Sequence, residues 1–142
     1  MPRRSMREEF ETDDGRVLRY VRHTHGDGFV APRASVESNA WIGPGAYVER
    51  GARVAAQARV GNGSWIDEQA VIGSGAIVGN NVHVGPGANV GHGALIGRGS
   101  KLGANAVIEA GVRLPSDSVV PDGETITTRT IANQRQKYGS AA

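Results

Sequence analysis

Four histidines and no cysteine define the chemistry open to this 142-residue chain. Thiolate nucleophiles, disulfides and cysteine-ligated zinc are excluded, and imidazole is the side chain whose ordinary pKa lies near neutrality. A general base needs that pKa and hydrogen-bond reach to a hydroxyl or amine. His92 stands in Val90-Gly91-His92-Gly93-Ala94-Leu95-Ile96-Gly97, with glycine on both sides. Trp65 precedes His83 and Lys101 follows it at equal intervals. Arg98 and Lys101 are cations suited to a phosphate. His23 and His25, at spacing two, would face one way along a strand and could share a metal. A polar connection ahead of Gly26-Asp27-Gly28 is the plainer reading of that pair.

These histidines belong to, or directly precede, a six-residue phrase that runs without interruption from Phe29 to Ile126. Val30, Val36, Ile42, Val48 and their successors recur every six residues as far as Ile126, and all are Val, Ile or Leu. Fixed self-similarity of this kind decides the architecture before local propensity does. Four residues after each aliphatic comes a small or β-branched residue, from Ala34 and Ala40 to Ser118, with Glu124 the exception at the end. That residue is also two before the next aliphatic, so on an extended chain both point the same way. Large and small residues therefore alternate inward. Glycine fills two columns, one and three residues after the aliphatic, and Asn39, Asn81 and Asn105 join the second. Gly and Asn accept positive φ most easily, so positive φ is expected at these corners. A short strand and a sharp turn every six residues build a prism, with three strands, and so three phrases, to each coil. Successive coils pair as parallel strands about 4.8 Å apart. The repeat is long enough for about five of them.

The residue before each aliphatic should point outward. Sorted by the three-phrase period of the coil, one face reads Phe29, Tyr47, Trp65, His83, Lys101, Val119. A second reads Ser35, Arg53, Val71, Asn89, Val107, Thr125, and a third Trp41, Arg59, Ile77, Leu95, Arg113. Exposed apolar patches mark contacts. Tyr47, Trp65, Trp41, Ile77 and Leu95 are accordingly expected at an interface between subunits. A ligand groove against the aromatic wall and His83 is the sharper alternative. The corner column of His92 reads Ser38, Ala56, Ser74 and Ala110, with no carboxylate to orient the ring. An acid from another subunit, such as Glu68 or Glu109, would have to supply it.

The phrase resembles the hexapeptide-repeat family, whose motif is (Leu/Ile/Val)-Gly-x-x-(small)-x. Ile72-Gly73-Ser74-Gly75-Ala76-Ile77 and Val84-Gly85-Pro86-Gly87-Ala88-Asn89 are examples. The resemblance implies an all-β, left-handed parallel β-helix, usually a homotrimer. The handedness comes from the family, since parallel crossovers are generally right-handed. Many members are acyl-CoA-dependent acyltransferases in which a His is the general base and the acyl-CoA lies between subunits. The segment around His92 looks like the Val-x-His-x-(small)-x-Ile-Gly segment of nucleotide-sugar N-acetyltransferases, where that His is catalytic. The implied activity is acyl transfer from an acyl-CoA co-substrate, not a permanently bound cofactor, to a small hydroxyl or amine acceptor. In it His92 is the base, His83 the second candidate, and Lys101 and Arg98 bind CoA. A non-catalytic trimeric scaffold or protein-interaction module is the alternative, since no loop interrupts the repeat. The γ-class carbonic anhydrases share the fold and bind zinc between subunits through three His. Their acid- and Gln-containing segments are missing here.

Three segments follow: an N-terminal segment at 1–28, the repeat at 29–126 and a tail at 127–142. In the first, Phe10 and Thr12, the turn-like Asp13-Asp14-Gly15 and Val17 to Val21 read as a hairpin capping the first coil. In the tail, Ile131 to Tyr138 reads as a short helix. Net charge is only +2. No basic stripe of the kind nucleic acid requires runs along a face. No apolar run is long enough to span a membrane or to form a signal peptide, so a cytoplasmic location is expected. Val78→Asp should abolish folding, because a charge in so thin a core has no partner. Native circular dichroism in that variant would overturn the register.

Overall fold

The computed structural model describes residues 7–11 and 17–128. Each aliphatic of the repeat closes a two-residue strand, and these strands stack into three parallel sheets. The first face runs from Phe29–Val30 through Trp65–Ile66 and His83–Val84 to Val119–Val120, the second from Ser35–Val36 to Thr125–Ile126, and the third from Trp41–Ile42 to Arg113–Leu114. Pairing partners lie one coil apart, so that His83 stands opposite both Trp65 and Lys101. The fold is all-β, a left-handed parallel β-helix of about five coils.

Its core is a single column. Ile42, Val48, Ile66, Ile72, Val84 and Val90 are fully buried, and so are the small residues between them, Ala46, Ala70 and Ala88 among others. Burying one such aliphatic contributes about 1.5–3 kcal/mol. Three positions of the small column carry serine, Ser64, Ser100 and the half-buried Ser118. Ser64 and Ser100 are buried, and each hydroxyl is inserted into the backbone of the coil above. Val82 N–H donates to Ser64 Oγ (3.0 Å), which donates to the Gly79 carbonyl (2.6 Å). Ser118 N–H donates to Ser100 Oγ (3.1 Å), which donates to the Pro115 carbonyl (3.2 Å). The buried hydroxyls thus have partners, as burial requires.

The two glycine columns exist for different reasons, which corrects the single expectation of positive φ. The glycines three after the aliphatic do adopt it, as at Gly93 (φ +67°). Arg33, Gln57, Gln69 and Asp117 adopt it in the same column without being Gly or Asn. Asn39 does not. Its Oδ1 instead accepts the Gln57 backbone N–H at 3.0 Å. The glycines one after the aliphatic have ordinary φ and are small because the next coil lies directly against them. A Cβ on Gly91 would stand 2.4 Å from the Ala110 nitrogen.

At the base, β1 (Arg7–Glu11) and β2 (Val17–Arg22) form the expected antiparallel hairpin. Its turn at 12–16 lies outside the described residues. β2 pairs antiparallel with β3 (Phe29–Val30), so the hairpin continues the first sheet below its first parallel strand. Residues 23–28 cover the lower edge of the third face. Ile42 N–H donates to the His25 carbonyl (3.0 Å) and Gly28 N–H to the Ile42 carbonyl (2.9 Å). The helix expected over 131–138 lies outside the described residues.

The two glycine explanations separate by mutation. Gly93→Ala should cost about 1–2 kcal/mol for left-handed backbone alone, since nothing stands within 4 Å of its added methyl. Gly91→Ala should cost more, because backbone of the next coil must move. Urea denaturation midpoints compare them. Equal or reversed costs would refute the stacking explanation.

Candidate functional site

The first face assembles a ladder of rings, because parallel pairing in register brings outward residues of successive coils together. At its foot the Arg22 guanidinium lies over the Phe29 ring, 5.2 Å from the centroid. Phe29 and Tyr47 stack at 5.0 Å, and Tyr20 from the hairpin meets Tyr47 edge-on at 5.4 Å. Higher up, Trp65 and His83 stack with centroids 4.3 Å apart and planes within 13°. Tyr47 is thus half-covered by the hairpin, whereas Trp65 is 43% exposed.

Two carboxylates lock this ladder from the side. Glu49 accepts from Tyr20 Oη (2.6 Å) through one oxygen and from Trp65 Nε1 (2.8 Å) through the other. Asp67 Oδ2 lies 3.0 Å from His83 Nε2, and Asp67 Oδ1 accepts the backbone N–H of Glu68 at 2.8 Å. An ionised carboxylate only accepts, so Nε2 carries the proton and the neutral ring keeps its lone pair on Nδ1. The His83 side chain is 36% exposed and that of Asp67 17%. Nδ1 has no bonding partner among the described residues.

Asp67 gives His83 the carboxylate that the column reading finds lacking at His92. That reading follows one column from coil to coil and finds no acid there. Both carboxylates instead lie one residue past the aliphatic, after Val48 and Ile66, and each meets a ring at a sequence separation of 16. The chain rises one coil in three phrases, and the outward position comes two residues before that corner. The offset of 16 is therefore the sequence signal that marks both pairs.

The other candidates lie apart. His92 is exposed at the corner between the second and third faces, opposite the face that carries His83. Its backbone carbonyl accepts Gly111 N–H at 3.0 Å, but no described side chain hydrogen-bonds its ring. Arg98 is exposed at the corner between the third and first faces. Lys101 stands directly above His83. Trp41, Ile77 and Leu95 are exposed along the third face, where Arg59 covers the Trp41 ring at 5.6 Å. His23 Nε2 lies 2.8 Å from the Ala40 carbonyl, to which it donates, and His25 is 6.1 Å from it between ring centroids. Among the described residues no three His, Asp or Glu side chains gather at one point. A shallow cavity of about 390 Å³ opens above His83, with Lys101 and Asp122 on its walls. Among the described residues no helix is long and apolar enough to cross a membrane.

This ladder on a six-residue repeat defines a hexapeptide-repeat protein. The family model for the bacterial transferase hexapeptide (six repeats) matches residues 57–92 and 75–116. The two matches overlap and together span residues 57–116 of the chain, whose repeat resembles that family. Among solved structures it is similar to perosamine N-acetyltransferase from Caulobacter crescentus, determined in complex with CoA and GDP-perosamine. The two are 26% identical with a TM-score of 0.69, over 70% of this chain and 48% of that one. This chain therefore spans about half the length of that enzyme. It is also similar in fold to a hexapeptide-repeat-containing acetyltransferase from Vibrio cholerae, with a TM-score of 0.62 and 17% identity over 72% of this chain and 69% of the other. No curated protein matches the sequence.

The lock between hairpin and ladder has a pH signature. Burial first, and the Glu49 carboxylate second, push the Tyr20 phenol well above its ordinary value. In the unfolded chain it ionises near pH 10. Its stabilisation is thus fully present below about pH 10 and is lost as pH rises toward the folded value, where the native state holds the extra proton. Urea midpoints of the protein and of Tyr20→Phe should differ most at pH 8, and the difference should begin to narrow as pH rises past about 10. A constant difference would contradict the assignment.

Proposed function

We propose that the protein transfers an acyl group from an acyl-CoA to a small hydroxyl or amine acceptor, with His83 as general base. The observation that carries this is the Asp67–His83 pair. Asp67 holds one ring nitrogen, Trp65 holds the ring plane, and the second nitrogen stays available. A base oriented by a third group is the arrangement that acyl transfer uses. His92, to which the family motif points, has no such support among the described residues.

In this reading His83 Nδ1 takes the proton from the acceptor O–H or N–H as that oxygen or nitrogen bonds to the acyl carbon. The C–S bond of the thioester breaks, and the imidazolium returns the proton to the departing thiolate sulfur. Asp67 keeps the tautomer and balances the charge that the ring gains. The CoA seen with the Caulobacter crescentus enzyme supports a CoA thioester as donor. Three copies packed through Trp41, Ile77 and Leu95 would form the grooves in which it lies, with Arg98 suited to a CoA phosphate.

Calorimetry with acetyl-CoA and thiol release with a panel of small amines and alcohols test this. His83→Ala should lower kcat by about 10²–10⁴-fold with native stability. Asp67→Asn should lower kcat more than it changes KM, and His92→Ala should leave turnover intact. Loss of turnover confined to His92→Ala would move the base to that corner. No binding of acetyl-CoA would remove the transferase reading and leave a non-catalytic scaffold, its partner to be sought at Trp41 and Trp65.

A further inference from the structure

We propose that the cavity above His83 takes the acceptor, and that this acceptor is a small hydroxy or amino carboxylate whose single negative charge is met by Lys101. The proposal rests on the acyl-transfer reading and names the substrate class of the same site. Lys101 follows His83 by one coil in register, which sets their Cα atoms about 4.8 Å apart. In an acyl-CoA the phosphates are separated from the thioester by the whole pantetheine arm. A cation one strand from the base cannot meet them while the base touches the reacting atoms. Lys101 is therefore an acceptor-side residue, and the CoA role that its residue type suggests falls to Arg98.

The cavity itself narrows the class. At about 390 Å³ it lies at the small end of ligand pockets, which run from roughly 300 to 1,000 Å³. Leu102, Val119 and Pro121 give it apolar walls suited to a short carbon chain. Lys101 is its cation, and no described residue forms an ion pair with that ammonium. Asp122 is its anion. One Asp122 oxygen accepts Ala104 N–H at 2.9 Å, and the carboxylate has no other described partner. A carboxylate on the wall opposes a phosphate dianion more strongly than a monoanion. A monoanion on Lys101 leaves its hydroxyl or amine beside the ring of His83.

The test is a titration of the whole ¹⁵N-labelled chain with L-lactate, L-serine, ethanolamine and inorganic phosphate, followed at the amides of Lys101 and Val119. Lactate and serine should shift them saturably, ethanolamine should not, and phosphate should bind more weakly than either carboxylate. Lys101→Gln should weaken lactate about tenfold or more, as loss of a charge-assisted hydrogen bond does, and Lys101→Arg should recover part of it. Carboxylate binding unchanged in Lys101→Gln, tighter binding of phosphate, or no saturation by either carboxylate would overturn the proposal. No acyl-CoA enters this titration. Its failure beside intact acetyl-CoA binding would thus remove the acceptor class alone, whereas the reverse pattern would remove the transfer chemistry and keep the pocket.

Discussion

The distance between coils is the constraint on which everything else rests. Parallel strands must approach to about 4.8 Å for their backbones to pair, and here every coil makes that approach on three faces at once. The demand falls on the corners. Gly91 cannot carry a side chain because Ala110 of the next coil already occupies the space. Gly93 can, spatially, but its backbone is left-handed. The inward column meets the same demand by alternating a large aliphatic with Ala, Ser or Val, so that a slim prism is filled without a second layer.

The same spacing orders the side chains of the surface. Side chains on successive coils are held about one strand apart whatever their chemistry, and flat rings at that separation stack. Trp65 and His83 are face to face because their strands pair in register. Asp67 and Glu49 then meet rings from the corner below. A surface histidine on an ordinary loop would lose considerable side-chain entropy in adopting one orientation. On this ladder the backbone has already ordered its neighbours, and a single carboxylate completes the orientation. The hairpin joins the ladder through Tyr20 and Glu49, so the base of the helix and the proposed reaction centre share one set of contacts.

Much of this was legible residue by residue. The hexapeptide period identified the inward aliphatics, the three outward columns and the neighbours of His83, and each agrees with the strand register. The corner chemistry was less legible. Glycine one and three after the aliphatic looks the same in a sequence, although one answers to crowding and the other to φ. Asn39 has the residue type of a left-handed corner and uses its side chain instead. The carboxylates escaped a column reading because columns follow whole coils, and their contact crosses a corner at a separation of 16.

By itself, the sequence determined a repeating coil, its core and which side chains face outward, because a strict six-residue period admits one register. Only the tertiary structure decided which outward groups act together. Asp67 and His83 become a pair because the rise of a coil sets one corner beneath the next face. His92, with the stronger motif, is left at the opposite corner without a described side chain to hold its ring. Period is a property of the chain, whereas the contact between an acid and a base across two coils is a property of how far the chain climbs between them.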